Sequence, residues 1–308
     1  MKVFRSFRLP ENFNHSVLAI GNFDGVHLGH QMVIEKAKEI AKEKKKKVGV
    51  LTFEPHPKCY FKKKFSFFRL TPFRSKVGIL KSLNIDFMLN INFNLNLVEV
   101  SADDFLKNFL VDLLKVEHIV TGFDFVFGHK QGGNVDVMQK FSKNYKMFDF
   151  TKVSEIKKDN LALSSSNVRS FLRLGDLEKA NRILSRNWTI ISRVIKGEEK
   201  ARQLGFRTAN LRVNAYCDLC YGVYSVDVKI FDKKKKSIFL GIANYGIKPT
   251  FHNTKPLLEV HIFNFSREIY GKRIAVSFKQ FIRHEKKFDS IEKLKDQIIK
   301  DIKIVKNE

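Results

Sequence analysis

From residue 16 to about residue 130 the chain alternates short apolar runs with stretches whose apolar positions recur at helical spacing. The runs at 18–20, 48–53, 85–93 and 118–121 read as buried strands. Between them, Val33, Ala37, Ile40 and Ala41 share one face of a helix leaving His30, and 72–83 reads as a helix with Pro72 in its first turn. Ser101, with Asp104 completing a capping box, opens a helix over 105–114. Strands alternating with helices imply a doubly wound α/β domain, with a parallel sheet that gathers ligands at the carboxyl ends of its strands.

Residues 164–186 read as a helical junction. The cluster Ser164-Ser165-Ser166-Asn167 precedes a helix over 168–174, Gly175 suits its C-terminal cap, and Asp176 caps a second helix carrying Leu177, Ala180, Ile183 and Leu184. From Trp188 the pattern changes to β-rich runs at 189–195, 222–231, 238–243, 257–265 and 273–281, separated by glycine and lysine turns. That spacing predicts an antiparallel β-barrel. A terminal helix is expected from near Asp289, with Glu292 at the capping-box position and Ile291, Leu294, Ile298 and Ile302 as its buried stripe. The expected domains are therefore 1–163 and 187–308, joined by 164–186.

With 308 residues and 44% hydrophobic content, each half can bury a core. The net charge of +25 raises the question of a nucleic-acid partner. The lysines, however, are scattered or fall in short runs at 44–47, 62–64 and 233–236, where solvated turns belong, and no clustered basic-aromatic module appears. The expected partners thus include neither nucleic acid nor membrane. Three cysteines make no disulfide framework, and Cys217-x-x-Cys220 has no second pair to complete a zinc site. No run has the length of a membrane helix, and the segment around Lys2, Arg5 and Arg8 lacks an apolar core of signal-peptide length. The expected compartment is the cytoplasm; the oligomeric state stays open.

Chemistry concentrates in Gly21-Asn22-Phe23-Asp24-Gly25-Val26-His27-Leu28-Gly29-His30, placed where a strand turns into a helix. Glycines there let a backbone approach a ligand, and the first N–H groups of a helix attract an anion. His27 and His30 share a helix face and can meet the same phosphate. Their imidazoles would stabilise charge on a transferring phosphoryl group; two structural histidines beside a glycine turn is the plainer alternative. Three more segments fall at predicted element ends: Leu51-Thr52-Phe53-Glu54-Pro55-His56-Pro57, then Gly122-Phe123-Asp124-Phe125-Val126-Phe127-Gly128, then Leu163-Ser164-Ser165-Ser166-Asn167-Val168-Arg169. Serine hydroxyls, helix N–H groups and Arg169 within one turn suit a triphosphate, although a serine cluster alone is simply a cap. The second half contains Gly205-Phe206-Arg207-Thr208-Ala209-Asn210, Ala243-Asn244-Tyr245-Gly246-Ile247-Lys248-Pro249-Thr250-Phe251, Leu258-Glu259-Val260-His261-Ile262-Phe263, Tyr270-Gly271 and Arg283. On its own, Glu259 is a strand carboxylate on the face opposite Leu258 and Val260.

In this order the first-half motifs resemble those of the HxGH nucleotidylyltransferases, and among them the prokaryotic FAD synthetases. The second half, over about 185–305, resembles riboflavin kinase. The resemblance, which covers nearly the full chain, implies a Rossmann-like sheet of HxGH nucleotidylyltransferase type and a bifunctional enzyme. Its expected activities are phosphorylation of riboflavin to FMN and adenylylation of FMN to FAD plus pyrophosphate. ATP is the expected co-substrate and Mg²⁺ the ion that accompanies it. The resemblance further implies that His27 and His30 stabilise the ATP α-phosphate. It assigns nucleotide contacts to Gly21, Phe23, Asp24, Gly25, Asp124 and Gly205, and the β,γ-phosphates to Ser165, Ser166 and Arg169. It makes Thr208 and Asn210 the Mg-ATP ligands, Glu259 the base for the riboflavin 5′-hydroxyl, and Arg283 a flavin contact.

The second half departs from that pattern at four places, and the first half more mildly, as at Ser166 where threonine is common. Arg207 stands where the kinase motif has proline, Ala201 where a loop glycine is usual, Ser185-Arg186-Asn187 at the barrel entry, and Arg283-His284 near the C-terminus. Two other readings follow: an FAD synthetase with an impaired kinase half, and a basic nucleic-acid-binding protein on an enzyme fold.

Overall fold

The computed structural model describes residues 1–62, 68–155, 157–158, 161–197, 205–231, 237–247 and 256–307. Ala201, the lysine run at 233–236 and residues 248–251 of the second-half motifs lie outside them. Two compact units are present, Met1–Phe65 with Thr71–Ser164, and Ser66–Leu70 with Ser165–Glu308.

In the first unit the chain forms β1 (Lys2–Phe4), β2 (Val17–Ile20), α1 (Leu28–Glu43), β3 (Val48–Glu54), α2 (Pro57–Lys62), α3 (Phe73–Ser82) and β4 (Phe87–Asn92). There follow α4 (Leu95–Val98), α5 (Ala102–Asp104), β5 (His118–Gly122), the hairpin β6 (Val126–Phe127) and β7 (Gly133–Asn134), α6 (Val135–Tyr145), β8 (Asp149–Val153), and the short pair β9 (Lys157–Lys158) and β10 (Leu161–Ala162). The six-stranded sheet has the order β1-β4-β3-β2-β5-β8, and every pairing in it is parallel. Alternate residues feed its two faces: Val17 and Ala19 pack with α1 and Leu80 of α3, whereas Leu18 and Ile20 pack with Phe105, Leu110 and Met138. The doubly wound expectation is therefore met. The edge strands β1 and β8 are additions to it.

Ser101 does accept a hydrogen bond from the Asp104 N–H (3.0 Å). Beyond α5, however, the chain runs as a π-helix, Phe105–Leu113, instead of the expected α-helix. Its buried residues are Phe105, Leu106 and Leu110. An i→i+5 ladder puts Phe105 and Leu110 on one line facing the sheet, which α spacing would not.

The second unit opens with α7 (Ser165–Leu174) and α8 (Leu177–Leu184), joined at Gly175 in a left-handed conformation, φ +79°. α7 begins three residues before the expected 168, so Ser165, Ser166 and Asn167 lie inside its first turn. Then come β11 (Thr189–Ile195), β12 (Ala209–Arg212), β13 (Gly222–Ile230), β14 (Ile238–Gly246), β15 (Leu257–Ile262) and β16 (Arg273–His284). They close into an antiparallel barrel in the order β11-β12-β15-β14-β13-β16, with β16 pairing back to β11. Trp188, Tyr224 and Phe278 fill its interior together with Leu258 and Val260.

The terminal helix α9 (Ile291–Lys306) follows, as expected, with two corrections. Ser290, not Asp289, is its N-cap and accepts from the Lys293 N–H. Ile291 is exposed, and the covered face carries Leu294, Ile298, Asp301, Ile302 and Val305. Among the described residues no helix is long and apolar enough to cross a membrane.

Candidate functional site

β2 stands where the strand order of the first sheet reverses, with β3 and β4 on one side and β5 and β8 on the other. A crevice at the carboxyl ends of β2 and β5 is the switch point at which doubly wound sheets bind ligands. The turn that leaves β2 there is strained. Phe23 and Val26 both have left-handed backbones, φ +48° and +42°, alongside Gly25 at +86°. Ties from outside hold it. Asp24 Oδ1 accepts from the Thr71 N–H (3.0 Å), and the Gly25 N–H donates to Thr71 Oγ1 (2.8 Å). Lys76 Nζ donates to the Asn22 carbonyl (2.7 Å), and Gln31 Nε2 to the Val26 carbonyl (2.9 Å). Gly21 lies under the Phe23 ring, where an added Cβ would come within 3.2 Å of it.

The turn delivers His27 as the N-cap of α1. Its Nδ1 accepts from the His30 N–H at 3.4 Å, and the two imidazoles stack with centroids 3.6 Å apart. The edge of Phe23 supports His30 from the side (5.3 Å). Two stacked imidazoles at a helix N-terminus form a donor cluster suited to a phosphoryl group. Asp24 is buried against Thr71, so its carboxylate holds the turn. Asp124 is exposed on the turn that follows β5, the strand paired to β2 through Ile20 and Thr121. The fold thus places residues 21–30 and Asp124 just beyond the carboxyl ends of two paired strands. Sequence reasoning passed over Thr71, Lys76, Asn90 and Thr121. Asn90 Oδ1 and Thr121 Oγ1 are buried near strand ends with no hydrogen bond among the described residues, and the signal for both was a polar residue in an apolar strand.

Ser165, Ser166 and Arg169 belong to the second unit, in the first turns of α7. Ser166 is exposed. Arg169 is buried, with Nε donating to the Phe68 carbonyl (2.8 Å) and the guanidinium lying 4.1 Å from the Phe68 ring centre.

In the barrel, a cavity of ≈ 340 Å³ is lined by Lys196, Gly197, Arg207, Thr208, Asn210 and Arg267, among others. Its cations suit a polyphosphate. The strand register pairs Asn210 of β12 with Glu259 of β15, and Glu259 in turn with Asn244 of β14. Leu258 and Val260 point into the barrel, so these three polar residues share its outward face. Asn210 is only 4% exposed, and its Oδ1 has no hydrogen-bond donor among the described residues. A Cβ on Gly197 would overlap its side-chain amide. Thr208 and Glu259 are half-buried, and Gly205 takes a left-handed backbone, φ +89°, ahead of them. Arg207 donates from Nη1 to the Ser266 carbonyl (3.2 Å), and its own carbonyl meets His261 Nδ1 (2.8 Å). The replacement for proline is therefore built into the rim.

Arg283, expected at the flavin, is held in an ion pair. Its Nε and Nη2 grip the carboxylate of buried Asp301 on α9 at 2.8–3.0 Å, and Nη1 donates to the His284 carbonyl (2.9 Å). Gln297 Nε2 completes the clasp (2.8 Å). The sequence signal for Asp301 was a carboxylate in the apolar stripe of α9. No group of three or more His, Cys, Asp or Glu side chains among the described residues could hold a metal ion. The Thr208 hydroxyl and the buried Asn210 carbonyl oxygen are hard donors of the kind that binds an ion arriving with its nucleotide.

The sequence profile of FAD synthetase matches residues 9–167, and that of riboflavin kinase matches residues 184–308. The bifunctional riboflavin kinase/FMN adenylyltransferase of Buchnera aphidicola subsp. Schizaphis graminum is 38% identical, over 99% of this chain and 98% of its own. The proteins of that name from Haemophilus influenzae and Escherichia coli K12 are 39% and 34% identical, covering 94% and 92% of this chain and 92% and 90% of their own. A crystal structure named as a macrolide-efflux protein from Streptococcus pneumoniae has the same architecture, with a TM-score of 0.86, 25% identity and full coverage of both chains. With an HxGH turn at the switch point of one unit and an Asn210–Glu259 pair on the barrel of the other, the chain belongs to the bifunctional riboflavin kinase/FMN adenylyltransferase family.

Proposed function

We propose that this chain transfers the γ-phosphoryl group of ATP to riboflavin in the barrel unit, giving FMN and ADP. In the α/β unit it transfers AMP from a second ATP to FMN, giving FAD and pyrophosphate. The observation that carries this reading is the presence, in one chain, of the stacked His27–His30 pair and the cross-strand Asn210–Glu259 pair.

In the barrel, Glu259 takes the proton from the riboflavin 5′-hydroxyl as its oxygen attacks the γ-phosphorus; a neutral alcohol needs such a base. Lys196, Arg207 and Arg267 line the cavity and would receive the phosphates there. Thr208 and Asn210 would hold the Mg²⁺ that accompanies the nucleotide, and the ion would neutralise phosphate charge. Gly205 contributes to the nucleotide contact, and Arg283, held by Asp301 of α9, contacts the flavin.

In the α/β unit the FMN phosphate is already anionic, so attack on the α-phosphorus needs alignment and charge stabilisation more than a base. His27, His30 and the first N–H groups of α1 stabilise the charge that develops there. The backbone of Gly21, Phe23 and Gly25 approaches the nucleotide, Asp24 fixes their turn, and Asp124 lies at the facing rim. Ser165, Ser166 and Arg169 serve as phosphate contacts.

The test is incubation with riboflavin, ATP and Mg²⁺, with the flavins separated over time. FMN rising first and then giving way to FAD is the expected result. FAD from supplied FMN, with none from riboflavin, would restrict the chain to the synthetase half.

A further inference from the structure

Lysine is rarely buried, because its ammonium loses hydration that a protein seldom replaces. Lys76 is 3% exposed. The cause is its place in α3: Phe73, Lys76, Val77 and Leu80 follow the i, i+3, i+4, i+7 spacing of a core-facing stripe. The side chain runs inward along that stripe, and its ammonium donates to the Asn22 carbonyl (2.7 Å) and to Thr52 Oγ1 (3.3 Å). Thr52 Oγ1 donates to the same carbonyl (3.0 Å). Three elements are thereby knotted at one oxygen: the end of β3, the start of α3 and the turn leaving β2.

The knotted oxygen matters because Asn22 is the residue before the left-handed backbone of Phe23. Fixing its carbonyl fixes the peptide plane from which the strained segment starts. Phe23 in turn supports His30. Lysine also brings a positive charge, held out of water, beneath the turn that carries Asn22.

We propose that Lys76 is a further positioning residue for adenylyl transfer, a buried cation that sets the Asn22 carbonyl and through it the turn that aims His27 and His30. This rests on the reading of that turn as the FAD-forming site. The chain offers its own control, since FMN formation in the barrel reports on folded enzyme in the same sample.

The experiment compares Lys76→Met, Thr52→Val and His30→Ala in the full chain, measuring FAD formation from FMN, FMN formation from riboflavin, and thermal melting. Lys76→Met is expected to lower kcat for FAD about hundredfold, the scale for a misplaced catalytic group, with KM for FMN within about threefold. Thr52→Val, nearly isosteric, is expected to lower it about three- to tenfold through loss of one hydrogen bond. Turnover in Lys76→Met within twofold of the parent, per unit of kinase activity, overturns the proposal. So does a lower melting temperature with unchanged normalised turnover, which marks a scaffold role alone. If Lys76→Met does not fold, an unchanged FAD rate in Thr52→Val overturns it. An unchanged FAD rate in His30→Ala overturns the reading of the turn itself, a separate failure.

Discussion

In the first unit the candidate groups ride on a turn with a strained backbone; in the second they sit on hydrogen-bonded strands whose register places them. The stacked imidazoles depend on Thr71 and Lys76, both about fifty residues away in sequence, which hold Asn22, Asp24 and Gly25. Asn210 and Glu259 are set by the pairing of β12 with β15 and of β15 with β14, and Gly197 abuts the Asn210 amide. A turn held from outside transmits distant substitutions into its chemistry. A ladder confines them, because each pair is fixed by backbone hydrogen bonds that side-chain changes leave intact.

The sharpest test of that contrast is removal of one group from each plan. Glu259→Gln should lower FMN formation from riboflavin about a hundred- to ten-thousandfold, the range for a lost general base, with FAD formation from FMN intact. His30→Ala should lower FAD formation about hundredfold or more and spare FMN formation. Parallel loss of both activities in either variant would break the comparison. Gly197→Ala sharpens it: the new Cβ presses on the Asn210 amide, so KM for ATP in the kinase reaction should rise about tenfold with the FAD reaction unmoved.

The smallest effect concerns stability. Burial holds the His118 imidazole below its ordinary pKa of 6.5, against the opposing pull of Asp149. A histidine that is harder to protonate in the fold than in the unfolded chain favours unfolding once the unfolded form begins to take up protons. The denaturant midpoint should therefore fall as pH drops below about 6.5, and His118→Phe should flatten that slope.

Much of this was legible in the chain. The change from strand to helical periodicity around residues 16–43 located β2, the turn and α1. Ser101 as a helix cap and Glu259 as a strand residue were placed by local pattern. What escaped has physical reasons. β12, with the sequence Ala-Asn-Leu-Arg, is short and half polar, so its strand character comes from pairing with β11 and β15. Edge strands β1 and β8 lack the continuous apolar run that a central strand needs. Lys76 and Asp301 are charges within apolar stripes, and residue type alone assigns them to solvent. Their partners, Asn22 and Arg283, are brought to them only by the fold. The ion pair of Arg283 with Asp301 escaped because no local pattern announces a buried carboxylate on a helix eighteen positions later.

The central claim is that two separable sites in one chain act in sequence, linked by released FMN. Its most direct test mixes purified Glu259→Gln and His30→Ala proteins with riboflavin, ATP and Mg²⁺ and follows the flavins by chromatography. Alone, the first should leave riboflavin unchanged and the second should stop at FMN. Mixed, they should make FAD, because FMN from one protein is adenylylated by the other. A mixture that forms no FAD, although Glu259→Gln converts added FMN, would contradict the account.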